Sequence, residues 1–320
     1  MLSGYYIWLI SRRNASWYYQ EALIHYRNGD LVKAKSYLVD AIKRRPSYSN
    51  VLYTLGLIAH AEDNLKDAAG WYSKTLEVNP NDTDALYNKG QVHLDQNDVE
   101  QALETFVRLS ELADEGDVES QMALGFCHDL LGNIDEAKSL YELVITIDPE
   151  QVEAYFKLGR IADGDGEYEK AIGYYDKVVA LNDKHESVFT ELAQTYAKMD
   201  EWEPCKIACE KALALDPTNA KVYNQLGLIY YGQQEYNEAV RHYQKAVELD
   251  PTFAIVYNNL GYALEKLDMY KEAFRSFFKY TKFIEDPKEK ATIRMKMAEF
   301  QEKLNKDYAK EYFKPAEPIL

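Results

Sequence analysis

Leu55-Gly56, Ala68, Tyr72 and Pro80 open a pattern that the chain repeats at a fixed step. It returns as Leu158-Gly159, Ala171 and Tyr175, then as Leu226-Gly227, Ala239, Tyr243 and Pro251, and again as Leu260-Gly261, Ala273 and Phe277. Aligning the prolines places repeat starts near Ala15, Ser49, Thr83, Val118, Val152, Glu186, Ala220 and Ala254. The step is 34 throughout, apart from one of 35 that falls around Glu115-Gly116-Asp117. A period of this length fixes the architecture, because stacked units share one continuous core.

Within each unit, two apolar stripes at helical spacing flank a short polar turn such as Gly29-Asp30, Gly132-Asn133 or Gln234-Glu235, the signature of a helical hairpin. The eighth position is Gly or Ala (Ala22, Gly56, Gly90, Gly125, Gly159, Ala193, Gly227, Gly261) and the twentieth is Ala, with Cys205 in its place in the sixth unit. Small residues there let the paired helices approach closely. The twenty-fourth position is bulky in most units and is expected to fill the gap to the next repeat. Pro46, Pro80, Pro149, Pro217 and Pro251 are expected to end second helices.

This pattern, over residues 15–285, resembles the tetratricopeptide repeat family. The resemblance implies an all-α, right-handed α-solenoid of about eight helix-turn-helix repeats. Residues 286–313 read as a capping helix, with Ile293, Met297, Phe300 and Leu304 on one side, and residues 314–320 as an extended tail. Departures from the pattern gather in the first, third and fifth units, which carry Glu21, Lys89, Asp114 and Asp183 at repeat positions.

Composition narrows the function. The formal net charge is −16, yet residues 1–46 carry +5, residues 47–286 carry −23 and residues 287–316 carry +3. An acidic body repels a phosphate backbone, so no nucleic-acid partner is expected for the main surface. The cysteines, Cys127, Cys205 and Cys209, read as small buried hydrophobes of a reducing, cytoplasmic compartment. Residues 1–14 form an apolar lead-in. Its apolar run is too short to span a bilayer, and its charges follow that run rather than precede it, unlike a secretory signal. It reads either as packing on the first repeat or as a membrane or partner anchor over residues 1–13.

Signatures of catalysis are lacking: there is no Gly-rich phosphate loop, HExxH, CxxC or nucleophile elbow, so no enzyme activity and no cofactor are expected. Asp163-Gly164-Asp165-Gly166 sits at an inter-helix turn and lacks the later ligands of a calcium loop. His25, His93 and His128 share the eleventh position of their repeats. Equivalent positions in successive repeats stand about 10 Å apart, so no metal site is expected and hydrogen-bonded histidines are.

In proteins of the family, first helices line a groove through their second, fifth, ninth and twelfth positions. Carried onto this chain, those positions hold Tyr53, Leu57, Tyr87, Met122, Phe126 and Phe156, with Asp84, Glu119, Glu153, Asp129 and Asp163 alongside. Further on they hold Gln194, Asn224, Asn258 and Tyr262. Such residues either brace neighbouring helices or form a peptide groove with aromatic anchors and backbone-holding amides. A basic or aromatic peptide suits the first stretch. A terminal carboxylate does not, since the positions of the family's Lys/Asn clamp hold Tyr, Asp, Glu and Phe. The expected function is a non-catalytic scaffold or adaptor binding a protein segment; the alternative is a membrane-associated assembly factor, or a structural subunit, held through residues 1–13.

Overall fold

The computed structural model describes residues 14–114, 116–185 and 187–312. Residues 1–13 of the lead-in and the tail over residues 314–320 lie outside the described residues, and with them both readings of the lead-in, packing on the first repeat and the alternative anchor. Among the described residues every regular element is an α-helix. In chain order they are α1 (Ala15–Arg27), α2 (Leu31–Arg44), α3 (Ser49–Ala61), α4 (Leu65–Val78), α5 (Thr83–Asp95), α6 (Val99–Leu112), α7 (Val118–Leu130) and α8 (Ile134–Ile147). They continue as α9 (Val152–Gly164), α10 (Tyr168–Leu181), α11 (Val188–Lys198), α12 (Trp202–Leu215), α13 (Ala220–Gly232), α14 (Tyr236–Leu249), α15 (Ala254–Lys266), α16 (Tyr270–Tyr280) and α17 (Pro287–Tyr312).

The chain falls into two compact units, Met1–Ala154 and Tyr155–Leu320. In each, helices pack on their neighbours in sequence, and first helices also touch the first helix of the next repeat, as α3 does α5 and α13 does α15. Each unit is therefore an all-α stack of helical hairpins, the solenoid arrangement read from the period.

Backbone conformation marks the repeat without reference to side-chain type. One residue per repeat takes a positive φ, at the turn between the paired helices: Gly29, Asp63, Asn97, Gly132, Gly166, Asp200, Gln234 and Asp268, with φ between 57° and 78°. Gly, Asn and Asp tolerate this left-handed region, whereas Gln234 gains nothing there from a short polar side chain. Helix starts are held by side chains: Asn14, Asp30, Asn64, Asp82, Asp98, Asp117 and Asn219 each accept a backbone N–H of the first turn. Part of the acidic excess is thus a set of N-caps placed where the helix dipole favours negative charge.

All five aligned prolines lie just beyond second-helix ends, each after a residue with ψ between 88° and 95°. The fifth repeat has no such proline, yet Asn182 holds the same backbone, and its Oδ1 accepts the N–H of Lys184 at 3.1 Å. Asp148, Asp216 and Asp250 make the same turn beside prolines, so this side-chain bond accompanies the bend with or without the ring. The single 35-residue step falls in the connection between α6 and α7, which is one residue longer than that between α4 and α5 or α8 and α9.

The eighth and twenty-fourth positions pack differently from the sequence expectation. Tyr72 shares a buried cluster with Val92 of the following repeat, but its ring lies first on the glycine of its own hairpin. A Cβ built on Gly56 would stand 2.5 Å from Cε1 of Tyr72. The same holds for Gly90 with Phe106, Gly125 with Tyr141, Gly159 with Tyr175, Gly227 with Tyr243 and Gly261 with Phe277. In the two repeats with alanine at the eighth position, the partners are the smaller Leu38 and Cys209, both fully buried. Cys205, at the twentieth position, is buried too and donates its thiol to the carbonyl of Ala193 at 3.1 Å. All three cysteines are free and buried.

At the C-terminal end, Ile293, Met297 and Phe300 of α17 are buried, and the Phe300 ring sits 5.9 Å from that of Phe277. The Tyr280 hydroxyl donates to Glu289 Oε1 at 2.6 Å, and Lys296 pairs with Glu265 at 2.7 Å.

The size match at the eighth and twenty-fourth positions is testable. Gly56→Ala is expected to destabilise the first unit by about 1–3 kcal/mol, overpacking outweighing the gain of about 1 kcal/mol in helix propensity. Tyr72→Leu, which copies the first repeat's pairing, is expected to cost stability in the native background but little or none in Gly56→Ala. Denaturant melts of the double-mutant cycle read this; equal effects of Tyr72→Leu in both backgrounds would show that the two sites do not compete for one volume.

Candidate functional site

In the first unit, the first-helix positions expected to bind come together as a cavity of about 460 Å³ between α5 and α7. Tyr87, Gln91 and Leu94 line one side; Glu119, Met122 and Phe126 line the other. Tyr87 packs 5.9 Å from the Phe106 ring, so its position follows from the glycine-ring contact beneath it. Burial, then the Glu119 carboxylate, push the Tyr87 hydroxyl above its ordinary pKa. Asp84, Glu119 and Glu153 are exposed.

Tyr53 stands outside this cavity. Its hydroxyl accepts from Asn88 Nδ2 at 3.0 Å, across one repeat, while the same amide also donates to the Asp84 carbonyl at 2.8 Å. Phe156, in the second unit, has only 9% of its surface exposed. Its ring lies 6.1 Å from Tyr175 and 4.6 Å from His185. It belongs to the packed interior rather than to an open strip.

In the second unit a cavity of about 590 Å³ lies over α9, α11 and α13. Asn224 and Gln194 line it, as does Asp163. Asp163 is already occupied: Thr195 donates to its Oδ1 at 2.9 Å and Lys198 pairs with its Oδ2. Asn224 is partly occupied, its Oδ1 accepting from Asn259 Nδ2 at 3.0 Å. Asn258 is outside the cavity lining, with its buried Oδ1 lacking a hydrogen-bond partner among the described residues.

Sequence reasoning passed over Arg160, Glu191 and Lys221, which also line this cavity. Arg160 and Lys221 fall on the ninth and second positions, so their signal was present in the family pattern. Glu191 sits at the sixth position, outside that pattern. So do Asn88 and Asn259, which bridge to the preceding repeat. Burial holds the Glu191 carboxyl above its ordinary pKa against the opposing charge of Arg160; Asp163 adds to the rise, and Lys221 and Lys198 oppose it.

The three aligned histidines diverge. His25 lies 3.8 Å from Asp30, and His128 Nδ1 is 3.3 Å from Asn133 Nδ2. His93 departs from the expectation of a hydrogen-bonded ring: both its nitrogens are buried and neither has a partner among the described residues. Among the described residues, no group of three or more His, Cys, Asp or Glu is placed to hold a metal ion. No helix among them is long and apolar enough to cross a membrane.

A family model described as "Protein kinase G tetratricopeptide repeat" matches residues 28–203, more than half of the chain. The chain belongs to the tetratricopeptide repeat family. A "TPR repeat" model also matches residues 227–268, and "Anaphase-promoting complex, cyclosome, subunit 3" matches residues 164–246. No curated protein matches by sequence. Among solved structures, a tetratricopeptide repeat protein from Parabacteroides merdae ATCC 43184 aligns with TM-score 0.60 and 18% identity, over 78% of this chain and 98% of that one. The APC/C hetero-tetramer Cut9-Hcn1 aligns with TM-score 0.60 and 19% identity, over 81% and 51% of the two chains. Pseudomonas aeruginosa pilF aligns with TM-score 0.56 and 18% identity, over 65% and 94%. At these identities the likeness is one of fold. The tetratricopeptide repeat fold is that of a protein-interaction scaffold.

His93 gives the first unit a pH dependence whose sign follows from its surroundings. Burial, then the charge of Lys89, lower its pKa, against the weaker pull of Asp98 and Glu104. The folded state therefore prefers the neutral ring. As pH falls below the ordinary histidine value of about 6.5, the unfolded chain binds the proton first, and stability declines until the folded pKa is passed. His93→Leu is expected to lose less stability than the native chain between about pH 7.5 and about pH 5. Denaturant melts at both pH values check this; parallel losses in the two proteins would remove His93 from the account.

Proposed function

We propose that the chain is a non-catalytic scaffold that binds a segment of another protein on its first-helix face, with the cavity between α5 and α7 as one anchor point. The carrying observation is the coincidence of Tyr87, Met122, Phe126 and Glu119 around a single cavity. An apolar, aromatic hollow with an acidic rim suits an apolar or aromatic side chain followed by Lys or Arg. The aromatic walls supply buried area and a face for the cation, and Glu119 supplies the opposite charge. Asp84 lies exposed on the same helix as Tyr87 and adds to the negative rim. Encounter with such a partner weakens as salt screens the rim.

Asp84 and Glu119 are exposed and neither caps a helix, so reversing their charge keeps the fold and costs only the first-turn dipole interaction, about 0.3–1 kcal/mol each. Affinity capture from native extract, followed by mass spectrometry, is expected to lose its main partner by about tenfold with Asp84→Lys/Glu119→Lys. Helicity should be unchanged and the melting temperature lowered only slightly. Undiminished capture by that variant would place the binding surface elsewhere.

A further inference from the structure

The hollow between α5 and α7 suits an aromatic side chain with a cation close by in sequence, and the chain itself carries that pattern. Tyr5-Tyr6-Ile7-Trp8-Leu9-Ile10-Ser11-Arg12-Arg13 sets an aromatic and apolar run just ahead of two arginines. The segment joins the described residues at Asn14, the N-cap of α1. Both α1 and the hollow lie in the first compact unit.

The helices between Asn14 and the hollow set the length of chain required. Tyr18 and Ala22 of α1 share a buried cluster with Val51 and Leu55 of α3, and α3 in turn touches α5. Packed helices stand about 8–10 Å apart, so two steps to α5 and half a step into the hollow come to about 20–25 Å at most. A straight path across a curved stack is no longer than that sum. An extended chain spans at most about 3.3–3.6 Å per residue. On that scale, Trp8 stands up to about 20–22 Å from Asn14 and Tyr5 up to about 30–32 Å. The aromatic run therefore brackets the distance. Asn14 caps the start of α1 and Glu119 lies in the first turn of α7, so the path stays near the starts of the first helices.

We infer that residues 5–13 cross the first-helix face over α3 and seat an aromatic ring of Tyr5, Tyr6 or Trp8 in the hollow of their own copy. The direction of the chain then chooses the charge partner. Arg12 and Arg13 trail the ring on the side of α1, where Asp84 is exposed on α5, whereas Glu119 on α7 lies beyond the ring. The apolar residues between ring and arginines pass over Tyr53 and Leu57 of α3, both half-buried. Two arguments favour this occupant over a second protein. An apolar run left in water is a liability that the hollow removes, and a tethered segment meets its site at an effective concentration of about millimolar. A partner then enters the hollow only by displacing the chain's own segment, which makes the scaffold selective against weak ligands.

Photo-crosslinking on the full chain tests the inference. The three native cysteines are buried, so benzophenone maleimide labels Tyr6→Cys at that residue and puts an aromatic probe in the run. Irradiation should link it to α5 or α7, Met122 foremost, within a monomer. Adding Asp84→Lys should lower that product by about tenfold and adding Glu119→Lys by less than about threefold, with the circular dichroism spectrum retained in both. Linkage confined to α1 and α2, linkage between two copies, no linkage, or equal loss in the two charge variants overturns the inference. The inference rests on the scaffold reading of the hollow, but partner capture decides that reading separately. Any of these four outcomes leaves it standing, whereas undiminished capture removes it whatever the crosslink shows.

Discussion

A ring seated on a glycine is the contact on which the rest of this structure depends. At the eighth position of six repeats there is no room for a Cβ, because the ring of the twenty-fourth residue already occupies its place. Interiors are packed to crystal density, so volume added on one helix must be removed from its partner. The chain obeys that rule in both directions: glycine pairs with Tyr or Phe, and alanine pairs with Leu38 or Cys209. This match sets how closely the two helices of a hairpin lie, and stacking then propagates the geometry along each unit.

The ring has a second consequence. The hydroxyls of Tyr72 and Tyr175 are buried without a hydrogen-bond partner among the described residues, which costs about 1–3 kcal/mol each. Phe106 and Phe277 fill the same position without that cost, and nothing in the structure explains why tyrosine is used at positions 72 and 175. On the open side, the same rings support the first-helix residues above them, as Phe106 does Tyr87. Packing inside the hairpin therefore positions the side chains available to a partner.

Charge follows a different logic from packing. Some of the acidic residues cap helix starts and are fixed by backbone geometry. Others are left on the first-helix face with no structural task, and there the two units differ: the first has an apolar hollow rimmed by Glu119, the second a polar cavity in which both signs occur. Family position alone did not separate these uses. It placed Tyr53 and Phe156 with Tyr87 and Phe126, whereas the Tyr53 hydroxyl is tied to Asn88 and Phe156 is buried on Tyr175 and His185.

The period, the helical hairpins, their prolines and their small residues were all legible in the sequence, because each is a local or strictly repeated requirement. Steric limits on a backbone, or on two helices in contact, write the same residue types into every unit. Only the tertiary structure decided which ring lies on which glycine, that His93 lacks a partner, and that Arg160, Glu191 and Lys221 share a cavity. Those facts depend on where side chains from different repeats converge, and a one-dimensional period carries no record of convergence.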